Sequence, residues 1–164
     1  MTIQSFASLS NHNAKVLLLG TIPGVKSLSM NEYYGHSRNH FWKLLATIFN
    51  EPILTDYKLK KEMLLRNNIP VWDVIQTCER QGSLDSAITK EVPNDFTTFL
   101  NEHPNVKIIA FNGQKVVALF KKHVRLNQEY ALITLPSTSP ANASKSFEQK
   151  LKEWSIIAPS KNEL

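Results

Sequence analysis

Three short stretches of this chain hold residue types that do chemistry. The first is LLLGTIPGVKS, residues 17–27, where an apolar run meets a turn with two glycines, then Lys26 and Ser27. That is the outline of a phosphate-binding loop, but the spacing is wrong for a triphosphate. Such a loop reads G-x-x-x-x-G-K-[ST], with a helix opening at the lysine. Here Gly20 and Gly24 stand one residue too close, Val25 separates Gly24 from Lys26, and Pro23 lacks an N–H. The segment that follows, SLSMNEYYGHSR, has poor helical periodicity. Gly20, Thr21, Ile22, Pro23 and Gly24 can still form a nest of backbone N–H groups at a strand end. Such a nest holds an oxyanion, a phosphate or the carbonyl-like edge of a heterocycle.

The second stretch is YYGHSRNHFW, residues 33–42. Tyr33 and Tyr34 precede a helix whose first turn holds Arg38, Asn39 and His40. Singly, each residue has an ordinary role: the tyrosines pack a loop, Phe41 and Trp42 join the core, and Asn39 and His40 are first-turn polar groups. Together, beside an N–H-rich loop, they suit a pocket that grips a flipped-out base by stacking and edge hydrogen bonds. Phe41 counts among the walls of that candidate pocket. The third stretch, LPSTSPANAS, residues 135–144, frames small hydroxyl residues with two prolines. It reads either as a turn with Ser144 capping the last helix, or as a stiff loop whose hydroxyls and N–H groups grip backbone phosphates. Lys145, Lys121, Lys122 and Arg125 are candidate sources of positive charge.

These stretches need elements to position them. Short apolar runs predict strands at Lys15–Leu19, Ile69–Ile75, Val106–Phe111 and Tyr130–Leu135. Helical spacing predicts a helix after Ser37 as N-cap, carrying Phe41, Leu44, Leu45 and Ile48. Further helices are expected at Thr55–Leu65, after Pro93 and Asn94, at Gly113–Lys122 and at Ser144–Ile157. Continuous apolar strands alternating with helices imply a parallel sheet covered on both faces. Ligands of such sheets bind beyond the carboxyl ends of the strands. The segments there are 20–36, 76–85, 112–114 and 136–143, which are rich in Gly, Pro, Ser, Thr and Asn.

The whole chain fits this reading. Its 164 residues, 42% hydrophobic and 20% charged, suit a single domain over 1–164. No apolar run reaches the ~18 residues of a membrane span, and MTIQSFASLSNHNAK lacks the form of a secretory leader. Cys78 is the sole cysteine, which leaves no disulfide framework and points to a reducing, cytoplasmic setting. A net charge of +5 and a pI near 9.3 suit a polyanionic partner, or simply solubility.

In order along the chain, GTIPG, YYGHSRNHFW and LPSTSPANA resemble the uracil-DNA glycosylase superfamily, and within it the hypoxanthine-DNA glycosylase (DNA-deoxyinosine glycosylase) family. VWDVIQTCERQGSLDSAI, PNDF and FNG are similar as well, so that the resemblance covers roughly residues 13–157. It implies a three-layer α/β/α sandwich around a central, mainly parallel four-stranded sheet. It also implies a monofunctional base-excision enzyme that needs no metal or cofactor. The partner is DNA, double- or single-stranded, carrying a deaminated base. A monomer is the default, in the cytoplasm and near the nucleoid if prokaryotic. The family's catalytic amide falls on Asn39. The chain departs from uracil-specific relatives in two places. GTIPG has no carboxylate, and Leu135-Pro136-Ser137 stands where they have H-P-S. Both departures argue against a highly active uracil enzyme.

On this resemblance Asn39 orients the attacking water through its carbonyl oxygen, since an amide is not a base. N–H groups around Gly20–Ile22 stabilise the leaving base, and Tyr33 or Tyr34 stacks on it. Asn112 either reads the base edge or caps a helix. Ser137, Thr138, Ser139, Pro140, Ala141 and Lys145 belong to the DNA-binding segment, with Asn142 and Ala143 near the emptied stack. Trp72, Asp73, Ser83 and Asp85 are assigned to the pocket walls. Lys26, expected at the surface, is not placed to form a Schiff base. The rival readings are the same fold acting on uracil, xanthine or mispaired thymine, a non-catalytic DNA-binding module, and a magnesium-dependent nucleotide hydrolase.

Overall fold

The computed structural model describes residues 2–159. Four strands form the central sheet in the order β3-β2-β6-β7: β2 is Val16–Gly20, β3 Val71–Asp73, β6 Ile108–Asn112 and β7 Ala131–Leu135. All three pairings are parallel. The expected α/β sandwich is therefore present, and side-chain alternation divides the core in two. Leu17, Leu19, Ile109 and Phe111 face one layer, which includes helices α4 (Phe96–Glu102) and α5 (Gln114–His123). Leu18, Val71, Ala110 and Leu135 face the other, against α2 (Phe41–Ile48), α3 (Tyr57–Arg66) and α6 (Phe147–Trp154).

Four boundaries differ from expectation. The predicted strand Ile69–Ile75 breaks at Val74, whose N–H turns to the Gly20 carbonyl at 2.8 Å. Beyond the break, β4 (Ile75–Glu79) joins β1 (Thr2–Gln4) and β5 (Thr89–Pro93) in a separate antiparallel sheet, order β1-β4-β5. No alternation of apolar and polar residues announces those short strands. A short helix α1 (Val25–Met30) follows the first loop despite its weak periodicity, closed by Asn31 in the left-handed region at φ 56°. Helix α2 begins at Phe41 with His40 as its N-cap residue, not Ser37. The N-cap of α6 is Ser146, not Ser144, and it forms a reciprocal capping box with Gln149.

Candidate active site

At the carboxyl edge of the sheet, strand pairing sets one row of side chains on the face that carries α2. Gly20 of β2 is paired with Asp73 of β3. Asn112 of β6 lies one residue past the Leu19–Phe111 pair and is itself paired with Leu135 of β7. The middle of the row has no side chain. A Cβ on Gly20 would lie 2.6 Å from Asp73 Oδ1 and 2.7 Å from the Tyr34 hydroxyl, closer than any real contact. The absence of that carbon lets a carboxyl and a phenol converge over the strand end.

Tyr34 reaches this point from a backbone with φ 52°, a conformation costly for a bulky residue and found where the surroundings enforce it. Its ring stacks on Phe41 with centroids 3.9 Å apart and planes at 19°. Phe41 is fully buried, so it backs the Tyr34 ring from inside and offers no surface to a ligand. Tyr33 is also buried, at 2% exposure. Its hydroxyl donates to the Ala7 carbonyl at 2.9 Å and its own carbonyl accepts from Trp42 Nε1 at 2.8 Å. Of the two tyrosines, Tyr34 is the one whose ring lies at the strand end beside Gly20, while Tyr33 anchors the loop.

Asp73 is 3% exposed, and its Oδ2 has no hydrogen-bond partner; the Tyr34 hydroxyl is likewise buried and unpartnered. Burial, with the charge of Asp85 second, pushes the Asp73 carboxyl up to about 7. Burial, then the charge of Asp73, drives the Tyr34 phenol far above its ordinary value. Asp85 is also raised by burial and accepts from the Thr21 hydroxyl at 3.2 Å.

The first loop is fixed from outside. Arg80, 4% exposed, donates from Nη2 to the Pro23 carbonyl at 2.7 Å and from Nε to the Gly82 carbonyl at 2.8 Å. Ser83 Oγ accepts the Val25 N–H at 2.8 Å. An isolated arginine in CERQG carries no sequence signal of this role. Thr21, Ile22 and Pro23 are buried, and Gly24 is partly so. Trp72 lies on the opposite face, packed against Phe96 and Phe99 at 5.1 and 5.0 Å, and is no wall of this site.

Asn39 sits in the turn before α2, and its Oδ1 accepts the Phe41 N–H at 2.9 Å. The amide therefore ties down the first helical N–H, from the residue before the N-cap, with one lone pair and keeps the second. Asn112 caps nothing, for the residue preceding α5 is Gly113 at φ 105°. A Cβ there would also press to 3.2 Å from the Ser137 Cβ, so both φ and space demand glycine. Asn112 instead binds the late loop: Nδ2 donates to Thr138 Oγ1 and Oδ1 accepts the Thr138 N–H, each at 2.9 Å.

Thr138 is 1% exposed, and its carbonyl accepts the His40 N–H at 3.0 Å. Trp154 Nε1 donates to the Pro136 carbonyl at 2.8 Å. Thr138 is thus an anchor buried away from any phosphate. The outer part of the loop stays accessible: Ser137, Ser139, Pro140 and Asn142 are half-buried, Ala141 and Ala143 exposed. Ser137 and Ser139 hydroxyls already accept the N–H groups of Ser139 and Ala141, at 3.2 and 3.1 Å, and retain their protons for donation. Lys145 is paired with Glu153. Lys121 and Lys122 lie in the last turn of α5 and Arg125 just beyond it, at the end of the helix remote from Gly113, so they supply no charge here.

Comparison with known proteins agrees with this frame. Residues 7–158 match the family model of the uracil DNA glycosylase superfamily, and the chain belongs to that superfamily. It is 38% identical over 116 residues to a hypoxanthine DNA glycosylase of Methanosarcina barkeri, covering 70% of this chain and 73% of that one. A hypoxanthine DNA glycosylase of Methanosarcina acetivorans is 32% identical over 158 residues, 96% and 98% of the two chains. The solution NMR structure of a Methanosarcina acetivorans protein assigned to the uracil DNA glycosylases superposes with a TM-score of 0.81, at 32% identity and 96% coverage of both.

Proposed function

We propose that this chain hydrolyses the N-glycosidic bond of deoxyinosine in DNA, releasing hypoxanthine and leaving an abasic site. The observation that carries the choice of base is the full-length similarity to a hypoxanthine DNA glycosylase, over 96% of this chain. The choice of chemistry rests on the site. A flipped base stacks on the free face of Tyr34, worth ~1–3 kcal/mol. Its polar edge meets the row of Asp73 and Asn112, and loop 20–22 stabilises the negative charge that develops on it.

Asn39 holds the attacking water. The Phe41 N–H fixes the amide so that its oxygen points one way, and the second lone pair of that oxygen accepts from water. Flipping costs a few kcal/mol and least for a weakly paired base, which favours deaminated bases. Ser137, Ser139 and Asn142 grip the phosphates beside the emptied stack. The protein acts as a monomer in the cytoplasm, needs no metal, and stops at the abasic site, since Lys26 is exposed on α1.

The test is base release in EDTA from duplexes carrying one deoxyinosine, deoxyuridine or deoxyxanthosine, with abasic sites revealed by alkali. Cleavage at deoxyinosine is expected. Cleavage at deoxyuridine alone overturns the choice of base, and a magnesium requirement overturns the mechanism.

A further inference from the structure

We propose that Asp73 is a catalytic residue for purine release, its carboxyl carrying a proton that it delivers to a ring nitrogen of the departing base. The proposal rests on the deoxyinosine reading above.

Three observations converge on this side chain. The carboxyl closes the carboxyl end of β2, where Gly20 has no side chain to cover it. Its Oδ2 is buried and unpartnered, an expensive state for an ionised oxygen and a tolerable one for a neutral acid that awaits an acceptor. None of the ion pairs among the described residues involves Asp73, and the buried Arg80 guanidinium donates from Nη2 and Nε to the Pro23 and Gly82 carbonyls, its Nη1 finding no partner and making no bond to Asp73.

The groups around it favour the neutral form. Asp85, from the 3-10 turn Asp85–Ala87, adds a like charge. Tyr34 and Tyr33 present phenols that stay protonated. Arg80 and Lys115 act on Asp85 rather than on Asp73. Asn94 bonds only the Asp73 backbone carbonyl, at 2.7 Å. The carboxyl pKa of about 7 agrees with this picture.

The chemistry balances without a co-reactant. The C1′–N9 bond breaks and its electron pair enters the purine. The Asp73 proton goes to N7 and cancels the negative charge that loop 20–22 stabilises as it develops, so that hypoxanthine leaves neutral. Water held by Asn39 bonds to C1′ and loses a proton, which restores the acid through solvent. An amide that only positions water does little to stabilise an oxocarbenium ion, so a leaving group made better by protonation supplies what the amide lacks. Uracil has no ring nitrogen equivalent to N7 to take this proton.

Single-turnover release from a deoxyinosine duplex, measured from about pH 6 to about pH 9, tests the assignment together with Asp73→Asn. The wild-type rate is expected to fall about tenfold per pH unit above about pH 7, and Asp73→Asn to be slower by ~10²–10⁴-fold with no such limb. Its affinity for a duplex carrying 2′-fluorinated deoxyinosine, which resists hydrolysis, should fall far less than its rate, since the amide keeps a hydrogen-bonding edge but has no acid proton to give. A wild-type rate that is flat or rising over that range overturns the proposal whether or not the variant folds. So does a folded variant within about threefold of wild type. Absence of hypoxanthine release by wild type at every pH would instead sink the deoxyinosine reading, and this role with it.

Discussion

Asn112 and Thr138 are joined twice, by Nδ2 to Oγ1 and by the Thr138 N–H to Oδ1, both at 2.9 Å. One amide thereby locks the end of β6 to the loop that would face DNA. Asn112→Ala should release that loop and leave the Thr138 N–H unsatisfied, at a cost of ~1–3 kcal/mol. Thermal unfolding measures the loss, and amide exchange at Thr138 and Ser139 should accelerate in step. Unchanged exchange would show that the loop is held by other contacts.

Two roles of Asn39 separate by substitution. Asn39→Ala loses the oxygen that accepts the Phe41 N–H, worth ~1 kcal/mol, and with it the group proposed to hold the water. Asn39→Asp keeps an accepting oxygen and should melt like wild type. Base release by the alanine variant should drop well beyond what its small stability loss explains. Equal release by the alanine variant and wild type would reduce Asn39 to a tie for the Phe41 N–H.

Gly20→Ala places a carbon where Asp73 and Tyr34 converge, at 2.6 and 2.7 Å. Overpacking of this kind costs ~1–3 kcal/mol. Tyr34→Phe removes the unpartnered hydroxyl and should be neutral or slightly stabilising. The pair of changes together should cost less than their sum, which a double-mutant cycle on chemical denaturation would detect. Strict additivity would mean that the backbone shifts to absorb the methyl.

The Asp73 carboxyl also predicts a dependence of stability on pH. Its folded pKa of about 7 lies above the ordinary carboxyl value of 3.8, so folding favours the protonated form. The stabilisation is fully present below about pH 4 and is lost as pH rises to about 7, up to ~4 kcal/mol across the window. Asp73→Asn does not titrate. Its melting temperature relative to wild type should therefore be higher at pH 8 than at pH 4.5. A constant difference would mean that Asp73 ionises normally in the folded protein.

Borohydride added during turnover should trap no protein–DNA adduct. Lys150 is the lysine to test first if it does: it is buried on α6 with its amine pKa lowered by burial, and lies near His40.

The sandwich was legible because its strands are short, apolar and buried on both faces, a pattern that VLLLG and IIAFN carry by themselves. The second sheet was not. IQTCE and TKEVP are mixed in polarity, and their pairing depends on chain reversal at Val74 rather than on composition. The three motif stretches do converge at one edge, yet which side chains face inward depended on packing. Tyr33 and Tyr34 are adjacent and chemically identical, and only the positive φ of Tyr34 sends its ring to Gly20. Asp73 was read as one wall among several. Its distinction is the unpaired burial at a strand end, which spacing cannot convey. Arg80 had no signal at all.

The central strand contributes only backbone at the level of the site, so on the proposed function the side chains lateral to it, at positions 73 and 112, are the ones that would read the base. A frame of that kind is evolvable: substrate range can drift through two exchangeable neighbours while strand order, loop anchors and the aromatic stack stay untouched. A small library randomised at those two positions, on an otherwise unchanged chain, is therefore where altered base preference should be selected first.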